Sequence, residues 1–318
     1  MPDVRLGPFD LTRPIGRGGA GVVWAGTHRD SGVPVAVKVM HPHGSRSASV
    51  HASFMNEVRS VAGLDHPGIV WVFDAGEVDE RTADHSGGEL LAGSPYLVME
   101  YASGGTLAEF VPSSWDDVRA MLLGLLDALG HAHARQVIHR DLKPGNVLLG
   151  TGADLRPGWK LTDFGIATAL EDTQSRSIAE EMIGTLLYMA PEQIRGEWRE
   201  FGPWTDLYAL GALVYRVVGD QRPFGVVRGP GLITAHLTAE PDPLVPRVAV
   251  PTGFQRWVSR LMAKRPEDRY PSAAHAMREL VQLGGPSAAV PGLEDDSTAE
   301  LEGPTELVLA PAVGWRSV

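Results

Sequence analysis

The segment His139-Arg140-Asp141-Leu142-Lys143-Pro144-Gly145-Asn146 sets a carboxylate, an ammonium and a carboxamide within residues 141–146, directly after the apolar pair Val137-Ile138, which reads as a short strand. Further on, Asp163-Phe164-Gly165 adds a second carboxylate. This is a loop suited to hold a nucleophile and a metal. Asp141 can take a proton from an attacking hydroxyl, and Lys143 can neutralise charge on a phosphoryl group in transfer. Asn146 and Asp163 offer the hard oxygen ligands that Mg²⁺ prefers.

Upstream, Gly16, Gly18 and Gly21 spell G-x-G-x-x-G, which alone reads as a glycine-rich hairpin or as a dinucleotide site. The following residues decide between them. A dinucleotide fingerprint opens a helix, whereas Val22, Val23 and Trp24 continue as a strand, so the glycines let a hairpin backbone approach nucleotide phosphates. Val35-Ala36-Val37-Lys38-Val39 is an apolar strand interrupted by one lysine, and a buried ammonium needs an anion. Residues 49–64 offer one. Phe54, Val58, Val61 and Leu64 recur at helical steps with Glu57 beside the stripe, although Glu57 also reads as a solvated surface glutamate.

In order and spacing these motifs resemble the protein kinase family, and the Asp141-Leu142-Lys143-Pro144 spelling resembles its serine/threonine branch. The resemblance covers residues 9–284. It implies an α+β, two-lobed protein kinase-like fold: a small β-rich N-lobe with one helix (9–99) and a larger, mainly helical C-lobe (102–284). The implied cofactors are ATP and Mg²⁺, with Mn²⁺ as the alternative ion, and the implied substrates are Ser and Thr hydroxyls of proteins. By the same resemblance Ile15, Gly16, Gly18, Gly21, Val23, Ala36, Lys38, Met99, Glu100, Ala102 and Leu148 bind the nucleotide. Met99 matches the gatekeeper, Glu100 and Ala102 the hinge. Lys38 is held by Glu57, Asp141 and Lys143 act on the acceptor and the transferring group, Thr185 bonds to both, and Asn146 and Asp163 hold the metal.

The rest of the chain reads around this frame. Trp115 to Ala134 is a core helix with a capping box at Ser114-x-x-Asp117; Thr205 to Val218 is a second, carrying Asp206, which the resemblance sets against the catalytic-loop backbone. A last helix runs from Ala273 to Leu283. Glu192 is expected to pair with Arg269. The polar stretch 77–94 reads as a mobile hairpin extension. Between Asp163 and Ala190-Pro191-Glu192, Thr168, Thr173, Ser175 and Ser177 lie in what the resemblance makes an activation segment. Arg140 beside Asp141 suits a phosphate there, with Thr173 and Ser177 the leading autophosphorylation candidates, while Glu180 and Glu181 could partly stand in for it.

Composition narrows the class. The chain has 318 residues, 43% hydrophobic, no cysteine and a net charge of −11, which excludes disulfides and argues against general nucleic-acid binding. The amino terminus lacks a signal-peptide pattern and no apolar run suits a membrane anchor, so a cytoplasmic protein is expected. Residues 285–318 are acidic and lack periodicity, which predicts a disordered tail. There Thr298 and Thr305 sit in acidic, leucine-bearing settings that suit phosphorylation and a phosphothreonine-reading partner. Two other classes compete: a catalytically silent scaffold of the same fold, and a small-molecule phosphotransferase. The presence of Lys38, Asp141, Asn146 and Asp163 disfavours the first. Thr185, Asp206 and the Ala190-Pro191-Glu192 motif disfavour the second.

Overall fold

The computed structural model describes residues 4–18, 21–40, 58, 61–164 and 184–285. The amino-terminal lobe is an antiparallel sheet of β1 (Val4–Leu6), β2 (Phe9–Gly18), β3 (Gly21–His28), β4 (Pro34–Met40), β5 (Val72–Glu77) and β6 (Pro95–Glu100), with helix α1 (Glu80–His85) between the last two. The strand order is β1-β2-β3-β4-β6-β5. Because side chains alternate across a strand, β4 serves two cores. Val35, Val37 and Val39 pack with Leu11, Trp24 and Val98 on one face, and Ala36 and Met40 pack with Val58, Leu97 and Met99 on the other. Lys38 belongs to the second face, the one that borders the cleft between the lobes. β1 precedes the first strand read from the sequence and closes the sheet edge against Leu11, Asp10 and Phe9.

The stretch 77–94 is not the mobile extension that its polarity suggests. Asp79 caps α1 by accepting from the Thr82 N–H at 2.6 Å. Val78 and Leu90 are buried beside Val4 and Leu6. The buried Ser86 hydroxyl accepts from Leu90 N–H and donates to Ala83 C=O. Two apolar anchors and one internal hydroxyl fix a segment most of whose other residues face water.

The carboxy-terminal lobe begins with α2 (Trp115–Ala134), followed by the hairpin β7 (Val147–Gly150) and β8 (Gly158–Leu161), and by α3 (Pro191–Ile194), α4 (Pro203–Gly219), α5 (Pro230–Thr238), α6 (Phe254–Leu261) and α7 (Ala273–Gln282). The capping box of α2 forms as its sequence indicates: Ser114 Oγ accepts from Asp117 N–H, and the Asp117 carboxylate accepts from Ser114 N–H. Met121, Leu122, Leu125 and Leu129 on its inner face have no exposure. α4 is buried nearly all round, from Thr205 and Asp206 through Val218, and so forms the centre of the lobe. α5 and α6, at 9 and 8 residues, are too short to announce themselves by periodicity. Val137-Ile138, read from the sequence as a short strand, has no ladder partner among the described residues; Gln136 turns at φ +62° and Val137 N–H returns to Ala132 C=O at the end of α2. Among the described residues no helix is long and apolar enough to cross a membrane.

Candidate functional site

A cleft of about 350 Å³ opens between the lobes, with Ile15, Gly16, Val23, Ala36 and Lys38 above, Met99 to Ser103 along the back, and Leu148, Thr162 and Asp163 below. Nine of the eleven residues expected to bind a nucleotide therefore line it; Gly18 and Gly21 do not. Gly21 has another reason to be glycine. At φ +153° a Cβ would lie 2.2 Å from the Val39 carbonyl oxygen, so the hairpin end of β2 and β3 tolerates no side chain there. Val23, Ala36 and Leu148 supply apolar walls, and Thr162 Oγ1 lies 3.8 Å from Met99 Sδ at the back.

Glu100 contributes to the cleft, but its carboxylate serves elsewhere. It is 1% exposed and receives Arg156 Nη2 at 2.6 Å and Lys160 Nζ at 3.3 Å. Lys38 Nζ lies 2.7 Å from Asp163 Oδ1. Glu57, its expected partner, falls outside the described residues, as do Thr168, Thr173, Ser175, Ser177, Glu180, Glu181, Thr298 and Thr305. Burial opposes ionisation of Asp163, yet the Lys38 ammonium outweighs it and holds the carboxyl below the usual carboxylate range.

The loop 139–146 is held from several directions. Asn146 Nδ2 donates to Asp141 Oδ2 at 2.9 Å and to the Asp141 carbonyl at 2.8 Å, and Lys143 Nζ lies 2.9 Å from the same Oδ2. Asp141 Oδ1 is buried and has no partner among the described residues. One carboxylate oxygen is thus committed and the other is left for an incoming proton. Thr185 Oγ1 accepts from Lys143 Nζ at 3.2 Å; the bond from Thr185 to Asp141 implied by the family resemblance is absent among the described residues. Lys143 stands between the two and takes up both contacts.

Asn146 and Asp163 are brought together by the β7–β8 hairpin, where Thr162 N–H donates to Asn146 C=O at 3.0 Å. With its amide nitrogen engaged, Asn146 presents Oδ1, and Asp163 presents an ionised carboxylate. Among the described residues no group of three or more His, Cys, Asp or Glu side chains could hold a metal. A carboxylate that lines the cleft and a nearby carboxamide oxygen nevertheless fit Mg²⁺, which is commonly bound through one or two carboxylates plus phosphate and water.

Asp206 anchors this arrangement. Its carboxylate accepts from His139 N–H (2.8 Å), Arg140 N–H (2.9 Å) and His133 Nε2 (2.7 Å), and it is 1% exposed. Gln193 Nε2 donates to the Arg140 carbonyl at 2.7 Å, so both ends of this residue are fixed while it holds φ +64°. A non-glycine residue there costs about 1–3 kcal/mol, which the surrounding bonds must sustain. Asp163 is similarly placed, at φ +58°. The buried His139 ring lies 4.4 Å from Phe164, and burial lowers its pKa, so it is a neutral spacer. Glu192 and Arg269 form the expected pair, with both side chains buried and Arg269 Nη1 and Nη2 at 2.8 and 2.9 Å from the two carboxylate oxygens.

Sequence reasoning missed His133, Arg156 and Lys160, and it missed Arg13, Tyr101, Ser103, Gly105, Thr106 and Gly145 on the cleft wall. His133 carries a weak signal, a histidine in the last turn of α2 beside the apolar stripe. Tyr101, Ser103 and Gly145 adjoin residues read from the sequence, whereas Arg13, Arg156 and Lys160 owe their position to chain crossings that no local pattern encodes.

A protein kinase domain model matches residues 9–280. Serine/threonine-protein kinase Pkn1 of Myxococcus xanthus is 37% identical over 283 residues, which covers 88% of this chain and 38% of the relative. A probable serine/threonine-protein kinase PknB of Bifidobacterium longum is 33% identical over 284 residues, with coverages of 86% and 39%. Serine/threonine-protein kinase PknB of Mycobacterium tuberculosis is 32% identical over 305 residues, with coverages of 92% and 46%. The chain thus spans less than half the length of these curated relatives. The family match, reached over a cleft of this geometry, places the chain in the protein kinase family.

Proposed function

We propose that this chain is a protein serine/threonine kinase that transfers the γ-phosphate of ATP to Ser or Thr hydroxyls of proteins. The observation that carries the reading is that Asn146 and Lys143 converge on Asp141 beside the cleft-lining Lys38–Asp163 pair, to which Thr162 N–H on Asn146 C=O and the charge of Lys143 acting on Asp163 connect them. Phosphoryl transfer asks the protein mainly for positioning and charge stabilisation, and these groups supply both.

Asp141 orients the acceptor hydroxyl and takes its proton at the uncommitted Oδ1. Lys143 neutralises charge on the group in transfer while Thr185 keeps its ammonium in place. Lys38 orients the α- and β-phosphates, which requires it to exchange Asp163 for phosphate oxygens. Glu57 is its carboxylate support in this reading. Asn146 and Asp163 would hold Mg²⁺, with Mn²⁺ as the alternative, and the ion would offset phosphate charge. Ile15, Val23, Ala36, Met99 and Leu148 enclose the adenine, Glu100 and Ala102 contribute hinge backbone, and Gly16, Gly18 and Gly21 let the hairpin approach the phosphates.

The reading extends to a kinase domain at 9–284 with an acidic tail at 285–318, a cytoplasmic setting, autophosphorylation at Thr173 or Ser177, and a phosphothreonine-reading partner for Thr298 or Thr305. The test is transfer of labelled γ-phosphate to a generic acceptor protein with Mg²⁺, with Mn²⁺ and with a chelator. Metal-dependent labelling of Ser and Thr supports the reading. Nucleotide binding without transfer in either metal would replace it with the scaffold alternative.

A further inference from the structure

The hinge between the lobes is gripped from behind by one short turn. β6 ends at Glu100, and Tyr101, Ala102 and Ser103 line the cleft as the chain passes to the carboxy-terminal lobe. The turn between β7 and β8, residues 151–157, carries an acid and a base that each seize one hinge residue. Asp154 Oδ2 accepts from the Ser103 N–H and the Ser103 hydroxyl, both at 2.9 Å, while Thr151 N–H at 2.6 Å fixes the carboxylate. Arg156 forks onto Glu100, with Nη2 2.6 Å from Oε1 and Nε 3.2 Å from Oε2. Trp71 N–H and Lys160 Nζ reach the same Oε1 at 2.8 and 3.3 Å.

The grip extends past the hinge. Arg156 also donates to the carbonyls of His66 (3.3 Å) and Ile69 (3.0 Å), and Lys160 donates to that of Pro67 (2.8 Å). One turn therefore joins the hinge, the chain leading into β5 and the floor of the cleft. Neither Asp154 nor Arg156 lines the cleft itself, so neither meets a bound molecule directly. Burying Glu100 and Lys160 is costly, and an apolar contact would join the same segments with less desolvation. What the charges add is direction. Forked and multiply accepted bonds fix the orientation of the hinge backbone, and a preorganised site binds more tightly because less must be ordered on binding.

We propose that the β7–β8 turn is a hinge clamp that sets nucleotide affinity, with Asp154 and Arg156 as positioning residues. It rests on the nucleotide-binding half of the function proposed above. The test measures the Kd of Mg-ADP by calorimetry on the full chain, well below the Tm of each variant, together with kcat at saturating ATP. Asp154→Ala and Arg156→Lys should each weaken binding about fivefold, the equivalent of roughly one ordinary hydrogen bond. Asp154→Asn, which keeps an acceptor oxygen, should lose less, and kcat should be largely retained in all three.

An unchanged Kd in both Asp154→Ala and Arg156→Lys, with or without a lower Tm, overturns the clamp and leaves a structural turn. Because Kd is read without transfer, a wild type that binds Mg-ADP but transfers nothing would defeat the kinase reading while the Kd ratios still decide the clamp. A wild type that binds no nucleotide overturns both.

Discussion

Three donors converge on the buried carboxylate of Asp206, and two of them belong to the backbone of the loop 139–146. Burial opposes its ionisation, but the His133 hydrogen bond and charge, with the backbone donors, hold its pKa below the usual carboxylate range. A carboxyl depressed in the folded state stabilises above its unfolded pKa, near 4, and loses that contribution as pH falls through the folded value. Asp206→Asn keeps the shape but turns an amide toward donors. It should cost about 2–4 kcal/mol in urea unfolding at neutral pH. Below about pH 4 the variant should also lose stability less steeply than wild type. Parallel curves for the two proteins across that range would remove Asp206 as the source.

Residue-level legibility follows the range of the contact. Asp141, Lys143 and Asn146 sit within one loop, so their juxtaposition could be read from their spacing. Asp163 required a second motif, and its short contact with Lys38 spans 125 positions, which no periodicity records. Lys38 needs an anion because a lysine in an apolar strand is costly to leave unpaired. Which anion it meets in the described fold is a tertiary fact.

At the scale of elements, α2 and α4 were legible because long amphipathic or apolar runs leave few alternatives, and α2 adds a capping box. α1 and the turn at 151–157 were not, since their packing depends on a few apolar anchors or crossing hydrogen bonds set in polar sequence. Two substitutions contrast the forces that hold the elements. Ser114→Ala removes an exposed-side cap of α2 and should lower stability by about 1 kcal/mol in denaturant unfolding. Arg269→Ala strands the buried Glu192 carboxylate, which links α3 to the segment before α7, and should cost about 3–5 kcal/mol by the same measurement. Equal losses would mean that the buried pair is solvated in a way its exposure of 0% and 1% does not suggest.

For the whole molecule, two lobes of different construction meet at a cleft whose upper wall is the β2–β3 hairpin and β4 and whose lower wall is the β7–β8 hairpin and the residues after it. The carboxy-terminal lobe gathers Asp141, Lys143, Asn146, Thr185 and Asp206 around the central helix α4, while the amino-terminal lobe delivers Lys38. After incubation with Mg-ATP, mass spectrometry should locate phosphate on Thr173 or Ser177, and on Thr298 or Thr305 if the tail serves as a docking signal. An unmodified chain in active protein would limit the proposal to substrates in trans.

The most direct test of the central claim compares wild type with Asp141→Asn in transfer of labelled γ-phosphate from Mg-ATP to protein, with Mg-ADP binding measured on both. The account predicts intact nucleotide binding in both proteins and a loss of transfer of at least about a hundredfold in the variant, since the loop geometry survives while the proton acceptor is gone. Transfer that persists in Asp141→Asn at the wild-type rate would contradict it.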